Sequence, residues 1–271
     1  MKRITPQQAV LALLAVPATS LVSRRTAFFS PQGPLSRRAL LKLGGLGLTA
    51  LATTAWRSRS AVTRLPSGPP SRAVSCVLTP EQTEGPYYIP REKVRKNIVE
   101  HRPGTPLTLR LTVVDAATCR PLKGAAVDIW HCDAAGIYSG FESASSGGAP
   151  GGNAGPTDTH TFLRGIQRTD AQGGCAFDTI YPGWYRGRTV HIHVKVHLGG
   201  TVVHTGQLFF ADSLTDRVYQ TGVYKARAAA RDMRNSGDSI YASGGRQSTL
   251  TMKRTRTGGY VGTITLGVRR S

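Results

Sequence analysis

From Val190 to Val196 the chain alternates with a period of two: Val190, Ile192, Val194 and Val196 fall on one side, His191 and His193 on the other. Successive side chains of an extended strand point to opposite faces, so this pattern prescribes a strand with one apolar face to bury. The same geometry sets two imidazoles side by side, which is half of a metal site. Just upstream, Pro182, Gly183 and Gly187 bend the chain and carry Tyr185 and Arg188 close to that pair. A strand with two solvent-facing histidines is the plainer alternative. The nearby tyrosine and arginine, with a further tyrosine upstream at Tyr138, weigh against it.

The rest of the chain reads as short strands. Leu107, Leu109, Leu111 and Val113 alternate with Thr108, Arg110 and Thr112, and Ala125 to His131 forms the next strand. Thr161 to Arg168 and Cys175 to Ile180 read as a hairpin about Asp170-Ala-Gln-Gly-Gly174. Val202 to Phe210 follows the Gly199-Gly200 turn, and Thr249 to Lys253 with Tyr260 to Val268 forms a closing hairpin. The best helical stretch is Tyr224 to Arg234, on its alanines. Trp130 and His131 are expected to pack and hydrogen-bond, and His197 and His204 to lie at the surface. Ser143 to Pro156, rich in Gly, Ser and Ala, reads as a flexible loop and candidate lid. The fold expected is all-β: a β-sandwich of two mainly antiparallel sheets with long loops and one short helix.

The net charge of +20 suggests nucleic acid until its distribution is read. Residues 1–75 hold eleven Lys and Arg and no acid, leaving +9 for residues 76–271, so most of the basicity is not in the folded part. No nucleic-acid partner is expected. Ser36-Arg-Arg-Ala-Leu-Leu-Lys42 resembles the twin-arginine export motif, with Leu40 where Phe is usual. The apolar run Leu43 to Trp56 is too short for a span of roughly 20 residues, so no stable membrane anchor is expected. The expected organisation is a signal region at 1–60, a linker at 61–76 and a folded domain at 77–271, exported from the cytoplasm by the twin-arginine machinery. A second apolar run, Ala9 to Val22, leaves the n-region either long or begun too far upstream. Cys76, Cys119, Cys132 and Cys175 allow three disulfide pairings and lack zinc-type C-x-x-C spacing.

Tyr185, Arg188, His191 and His193, at this spacing, resemble the iron-binding signature of the intradiol ring-cleavage dioxygenases. Asp128-Ile-Trp-His-Cys-Asp-Ala-Ala-Gly-Ile-Tyr138-Ser is similar to the stretch carrying that family's first tyrosine ligand, and Thr79-Pro-Glu-Gln-Thr-Glu-Gly-Pro-Tyr-Tyr88 to its opening segment. The likeness covers roughly Val77 to Val268. It implies one Fe(III) per chain held by Tyr138, Tyr185, His191 and His193, with Tyr185 and His191 axial. It implies that Tyr185 leaves the metal and helps take a phenolic proton, and that Arg188 stabilises developing negative charge. Gln207 and Tyr87 are implied substrate contacts. The partners implied are a small aromatic diol and O2. The ring is cut between the two hydroxyl-bearing carbons to a cis,cis-muconate-type product. The family's intracellular catechol enzymes carry an N-terminal helical region; here the leader takes its place, so any dimer must form differently.

The donor chemistry agrees. Anionic phenolate oxygens favour Fe(III), whereas zinc sites usually use His, Cys or carboxylate, and Fe(II) oxygenases use two His and a carboxylate. The alternative is a secreted sandwich that binds metal or aromatic ligands without turnover.

Overall fold

The computed structural model describes residues 76–90, 92–145 and 155–270. The expected signal region, nearly all of the linker and most of the Ser143–Pro156 loop lie outside the described residues.

Among the described residues, eight strands form two four-stranded sheets. The first has the order β4 (Gly174–Ile180), β1 (Pro106–Asp115), β8 (Tyr260–Val268), β7 (Thr251–Arg254). The second has the order β3 (Arg164–Arg168), β2 (Ala126–Trp130), β5 (His191–Leu198), β6 (Thr201–Phe209). All pairings are antiparallel except β1 with β8, which run parallel from Leu107↔Tyr260 to Asp115↔Val268. This is the expected sandwich. Its core is built by alternation: Leu107, Leu109, Leu111 and Val113 from one sheet meet Val127, Ile129, Ile192, Val194 and Val196 from the other. Each such side chain, fully buried, contributes about 1.5–3 kcal/mol.

Three expectations are corrected. β3 and β4 are not a hairpin; they belong to different sheets. The Asp170–Gly174 turn is real, since Asp170 Oδ1 accepts from Gln172 N (2.9 Å) and Gly174 N (2.7 Å). It serves as a crossing between sheets because Thr169 is tied to the chain entering β2, Ala125 N donating to its hydroxyl at 2.9 Å, while β4 pairs with β1. The α-helix is Asp212–Tyr219, and Gly222–Ala230 is a 3₁₀ helix that ends before Arg231. Two further α-helical segments, Glu142–Ser145 and Ser239–Ala242, are single turns. Tertiary burial decides here: Leu214, Thr215, Val218 and Tyr219 are buried, although their intrinsic helix propensity is lower than that of the alanines downstream. His204 is not a surface residue. The chain near Pro80 and Gln82 lies along β6, Gln82 N donating to Thr205 O at 2.9 Å, and the imidazole is buried. His197 is half-buried.

Cys76 and Cys119 form a disulfide, which ties the first described residues to the β1–β2 connection. Cys132 and Cys175 are free, and burial raises both thiols, that of Cys175 to about 12, so neither is a ready nucleophile. No helix among the described residues is long and apolar enough to cross a membrane.

Candidate metal centre

The inner face of the second sheet is core, and its outer face carries the site. β5 is buried at every position from His191 to Val196, because the outer face is itself roofed by loops. His193 is opposite Trp130 on β2 and Gln207 on β6, and His191 is opposite Phe209. Trp130 stacks flat on His193, with ring centroids 4.8 Å apart and planes 7° apart. His131 is buried as a hydrogen-bonding residue, its ring nitrogens 2.8 Å from Cys132 O and 2.7 Å from Thr179 Oγ1.

Two loops bring in the tyrosines. Tyr138 follows β2, and its backbone N–H donates to Ser145 Oγ at 3.0 Å. Tyr185 precedes β5 in a segment pressed against the chain at Asp133. A Cβ on Gly183 would lie 2.4 Å from Asp133 O, so only glycine fits that approach. The Thr79–Tyr88 segment closes the site from above. Gly85, at φ +72°, lies against His193, where a Cβ would sit 3.1 Å from the imidazole. Tyr87 packs on Tyr138 (4.6 Å) and Phe141 (5.2 Å). The buried Arg164 ties these parts together, donating to Tyr87 O at 2.7 Å and Ser139 O at 2.6 Å.

The four candidate donors converge. His191 Nε2 lies 3.1 Å from His193 Nε2 and 3.1 Å from Tyr185 Oη. His191 Nδ1 donates to Thr189 O at 2.7 Å, which fixes the tautomer and leaves Nε2 as a lone-pair donor facing its neighbours. Burial, reinforced by Arg188, holds His191 at a pKa of about 3, and burial and His191 hold His193 well below its usual range. Both rings are therefore neutral ligand-type imidazoles near pH 7. Burial raises the phenols of Tyr138 and Tyr185, and Tyr138 Oη is a buried hydroxyl without a hydrogen-bond partner. The His191 lone pair, the neutral His193 ring beside it and an orphaned phenol, buried together, make a dry, anion-capable donor set. A hard cation bound there would satisfy all of them and lower both phenolic pKa values. The set fits ferric iron.

Arg188 and Gln207 belong to the same face. Arg188 Nη2 donates to Gln207 Oε1 at 2.5 Å, and Gln207 Nε2 donates to Thr83 O at 3.0 Å. Gln207 is thus buried on the face that carries the candidate donors. All seven residues singled out from the sequence lie in or against this cluster. Asp238, Arg164, Phe141 and Gln82 were missed. Among them only Asp238 has a local signal, as a helix-capping aspartate before Ile240, and nothing in that signal points to Arg188. A second group, Glu142, Asp158 and His160, also brings metal-type atoms together. Its acids are engaged otherwise: Glu142 pairs with Arg102, and Asp158 accepts from the backbone of Gly140, Glu142 and His160.

Comparison with known proteins gives this arrangement its class. A family model described as Dioxygenase matches residues 83–241. An intradiol ring-cleavage dioxygenase from Tetranychus urticae is 38% identical, with a TM-score of 0.67 over 72% of this chain and 95% of that one. The dioxygenase domain of a carbohydrate-binding fusion protein from Streptomyces sp. SirexAA-E is 30% identical, with a TM-score of 0.52 over 72% of this chain and 100% of that one. Hydroxyquinol 1,2-dioxygenase from Pseudomonas putida DLL-E4 shares the fold at 18% identity, with a TM-score of 0.53 over 73% of this chain and 68% of that one. No curated protein matched the chain. The chain belongs to the intradiol ring-cleavage dioxygenases, a family of oxidoreductases. Its members act on catechol-type rings with O2 and generally use non-haem iron.

Proposed function

We propose that this chain is a ferric dioxygenase that opens a catechol-type ring between its two hydroxyl-bearing carbons, giving a cis,cis-muconate-type diacid. One observation carries the reading: four buried donors converge, with the two histidine Nε2 atoms 3.1 Å apart and both rings neutral. Tyr138, Tyr185, His191 and His193 would hold one Fe(III). The ion would supply the Lewis acidity that ionises the diol and directs its reaction with O2.

The protein's own groups do the rest. With the ion bound and its own phenol ionised, Tyr185 Oη would be the base for a diol proton. It belongs to the more exposed of the two tyrosines and is 3.1 Å from His191 Nε2, at the mouth of the donor set. Arg188 places a fixed positive charge beside the site, where negative charge develops on the ring during cleavage. Tyr87 walls the site over Tyr138, and Gln207 holds Arg188 in register. Trp130, stacked on His193, keeps that imidazole in plane.

Residues 1–60 would act as a twin-arginine export signal, placing the mature protein outside the cytoplasm. The Cys76–Cys119 disulfide supports this, because such bonds persist in oxidising compartments.

The test is a visible spectrum of the purified protein before and after anaerobic addition of catechol, followed by O2 uptake with a panel of diphenols. A tyrosinate-to-iron band that moves to longer wavelength with catechol, with O2 consumed by at least one diol, is the expected result. A colourless protein after iron reconstitution sinks the ligand assignment. A coloured protein that consumes no O2 moves the non-catalytic binding sandwich ahead.

A further inference from the structure

One carboxylate organises the positive charge of the site from fifty residues away. Asp238 is buried, and each of its oxygens accepts two donors. Oδ2 takes Arg188 Nε at 2.9 Å and the backbone N–H of Thr189 at 2.8 Å. Oδ1 takes Ile240 N at 2.8 Å and Tyr241 N at 3.0 Å, capping the turn Ser239–Ala242. The guanidinium is therefore gripped at Nε by Asp238 and at Nη2 by Gln207. Among the described residues Nη1 makes no hydrogen bond, so that end of the guanidinium keeps its donors.

The grip closes into a ring. Gln207 is bound twice by the Thr79–Tyr88 segment: its Nε2 donates to Thr83 O at 3.0 Å, and its backbone N–H donates to Gln82 Oε1 at 3.0 Å. Gln82 Nε2 then donates to Ile240 O at 2.9 Å, in the turn that Asp238 caps. The path Asp238–Arg188–Gln207–Gln82–Ile240–Asp238 joins the charge of the site to the segment whose Gly85 lies on His193.

We propose that Asp238 is the positioning residue for Arg188, and that Gln82 couples the segment over the site to that same guanidinium. This deepens the dioxygenase reading and rests on it for its kinetic consequence. An arginine side chain has many rotamers, and two bonds along one edge of the guanidinium, one of them to a carboxylate, select one plane. Asp238 acts through Arg188 and touches no reacting atom. Removing its charge misplaces the guanidinium while leaving the four metal donors in place.

The experiment is a double-mutant cycle with a spectroscopic arm. Asp238→Asn keeps the shape and loses the charge. Its kcat per bound iron is expected to fall by about 10- to 100-fold, as for a group displaced by about 1 Å, with KM changed less than about threefold and the tyrosinate band unmoved. In an Arg188→Gln background the same substitution is expected to cost less than about twofold, because its target is gone. In the iron-free protein, NMR of arginine Nε–H groups is expected to show one protected, shifted signal that Asp238→Asn and Arg188→Gln both remove. Equal costs in both backgrounds, or an Arg188 Nε–H signal unchanged in Asp238→Asn, would overturn the proposal. If Asp238→Asn does not fold, the same cycle with Gln82→Ala, on the half-buried segment, decides it. A cost that persists without Arg188 counts against the coupling. A wild-type protein without O2 uptake would sink the catalytic reading, while the NMR arm still reports on the Asp238–Arg188 pair.

Discussion

The two sheets of this sandwich bury their inner faces in the same way and treat their outer faces oppositely. On β1 the inner Leu107, Leu109, Leu111 and Val113 are buried, while Arg110 faces water and Thr108 and Thr112 are half-exposed. On β5 the inner Ile192, Val194 and Val196 are buried, and so are the outer His191, His193 and Lys195. The difference is what covers each sheet. The first sheet's outer face meets solvent. The second is roofed by the Thr79–Tyr88 segment and by the loop after β2. A polar strand face is ordinarily cheap because water solvates it. Here that solvation is removed, and the polar groups must satisfy one another or a ligand. The covered polar face is the candidate site.

That contrast can be broken by substitution. The largest effect is expected from His193→Ala, which removes a proposed ligand. Loss of the tyrosinate band and a fall in O2 uptake beyond the 10- to 100-fold typical of outer-shell partners are expected, measured on iron-reconstituted protein. One residue back, on the inner face, Ile192→Ala should cost about 2–5 kcal/mol in denaturant unfolding, with activity per folded, iron-loaded molecule retained. Acid comes next. His131 is held by burial at a pKa of about 4, below the unfolded value of ~6.5, so between these limits the unfolded chain binds more protons. Stability is complete above about pH 6.5 and is lost as pH falls toward 4, by up to about 3 kcal/mol for this group. Buried His191, held at about 3, acts in the same direction in iron-free protein. Unfolding of iron-free protein at pH 7 and pH 4.5 should show the loss, and His131→Gln should reduce it. The smallest effect is expected on the outer face of the first sheet: Arg110→Ala should stay within about 0.5 kcal/mol and leave kcat unchanged.

The sequence made the strands of both sheets legible wherever one face is wet or the partner is local. β1 alternates clearly, and β7 with β8 is a true hairpin. The histidine pair of the candidate site was legible for a different reason: His-x-His on a strand fixes two side chains to one face whatever surrounds them, whereas Tyr138 was singled out only by the family resemblance. What escaped depends on distant chain. The Asp170–Gly174 turn has hairpin chemistry, but strand choice was made by β1 and β2. The alanines of 226–230 favour helix, yet Trp184 Nε1 donates to Arg227 O and Arg227 Nη1 to Trp184 O, both at 3.0 Å, holding that stretch as a 3₁₀ wrap. His204 looked exposed because the segment that covers it is more than a hundred residues upstream. Asp238 reaches Arg188 across fifty positions, and no local pattern encodes such a contact.

The parallel pairing of β1 with β8 has a consequence for the order of events at the ribosome. Leu107 leaves the exit tunnel early, but its neighbour Tyr260 is made more than 150 residues later. The centre of the first sheet therefore stays open until nearly the whole domain has been synthesised, with an apolar strand waiting for its partner. Pairing over such sequence separations is slow and leaves sticky edges exposed meanwhile. The second sheet and its candidate donor set pair over shorter separations, so a nascent chain can assemble the place for the proposed metal before it can close the sandwich beneath it.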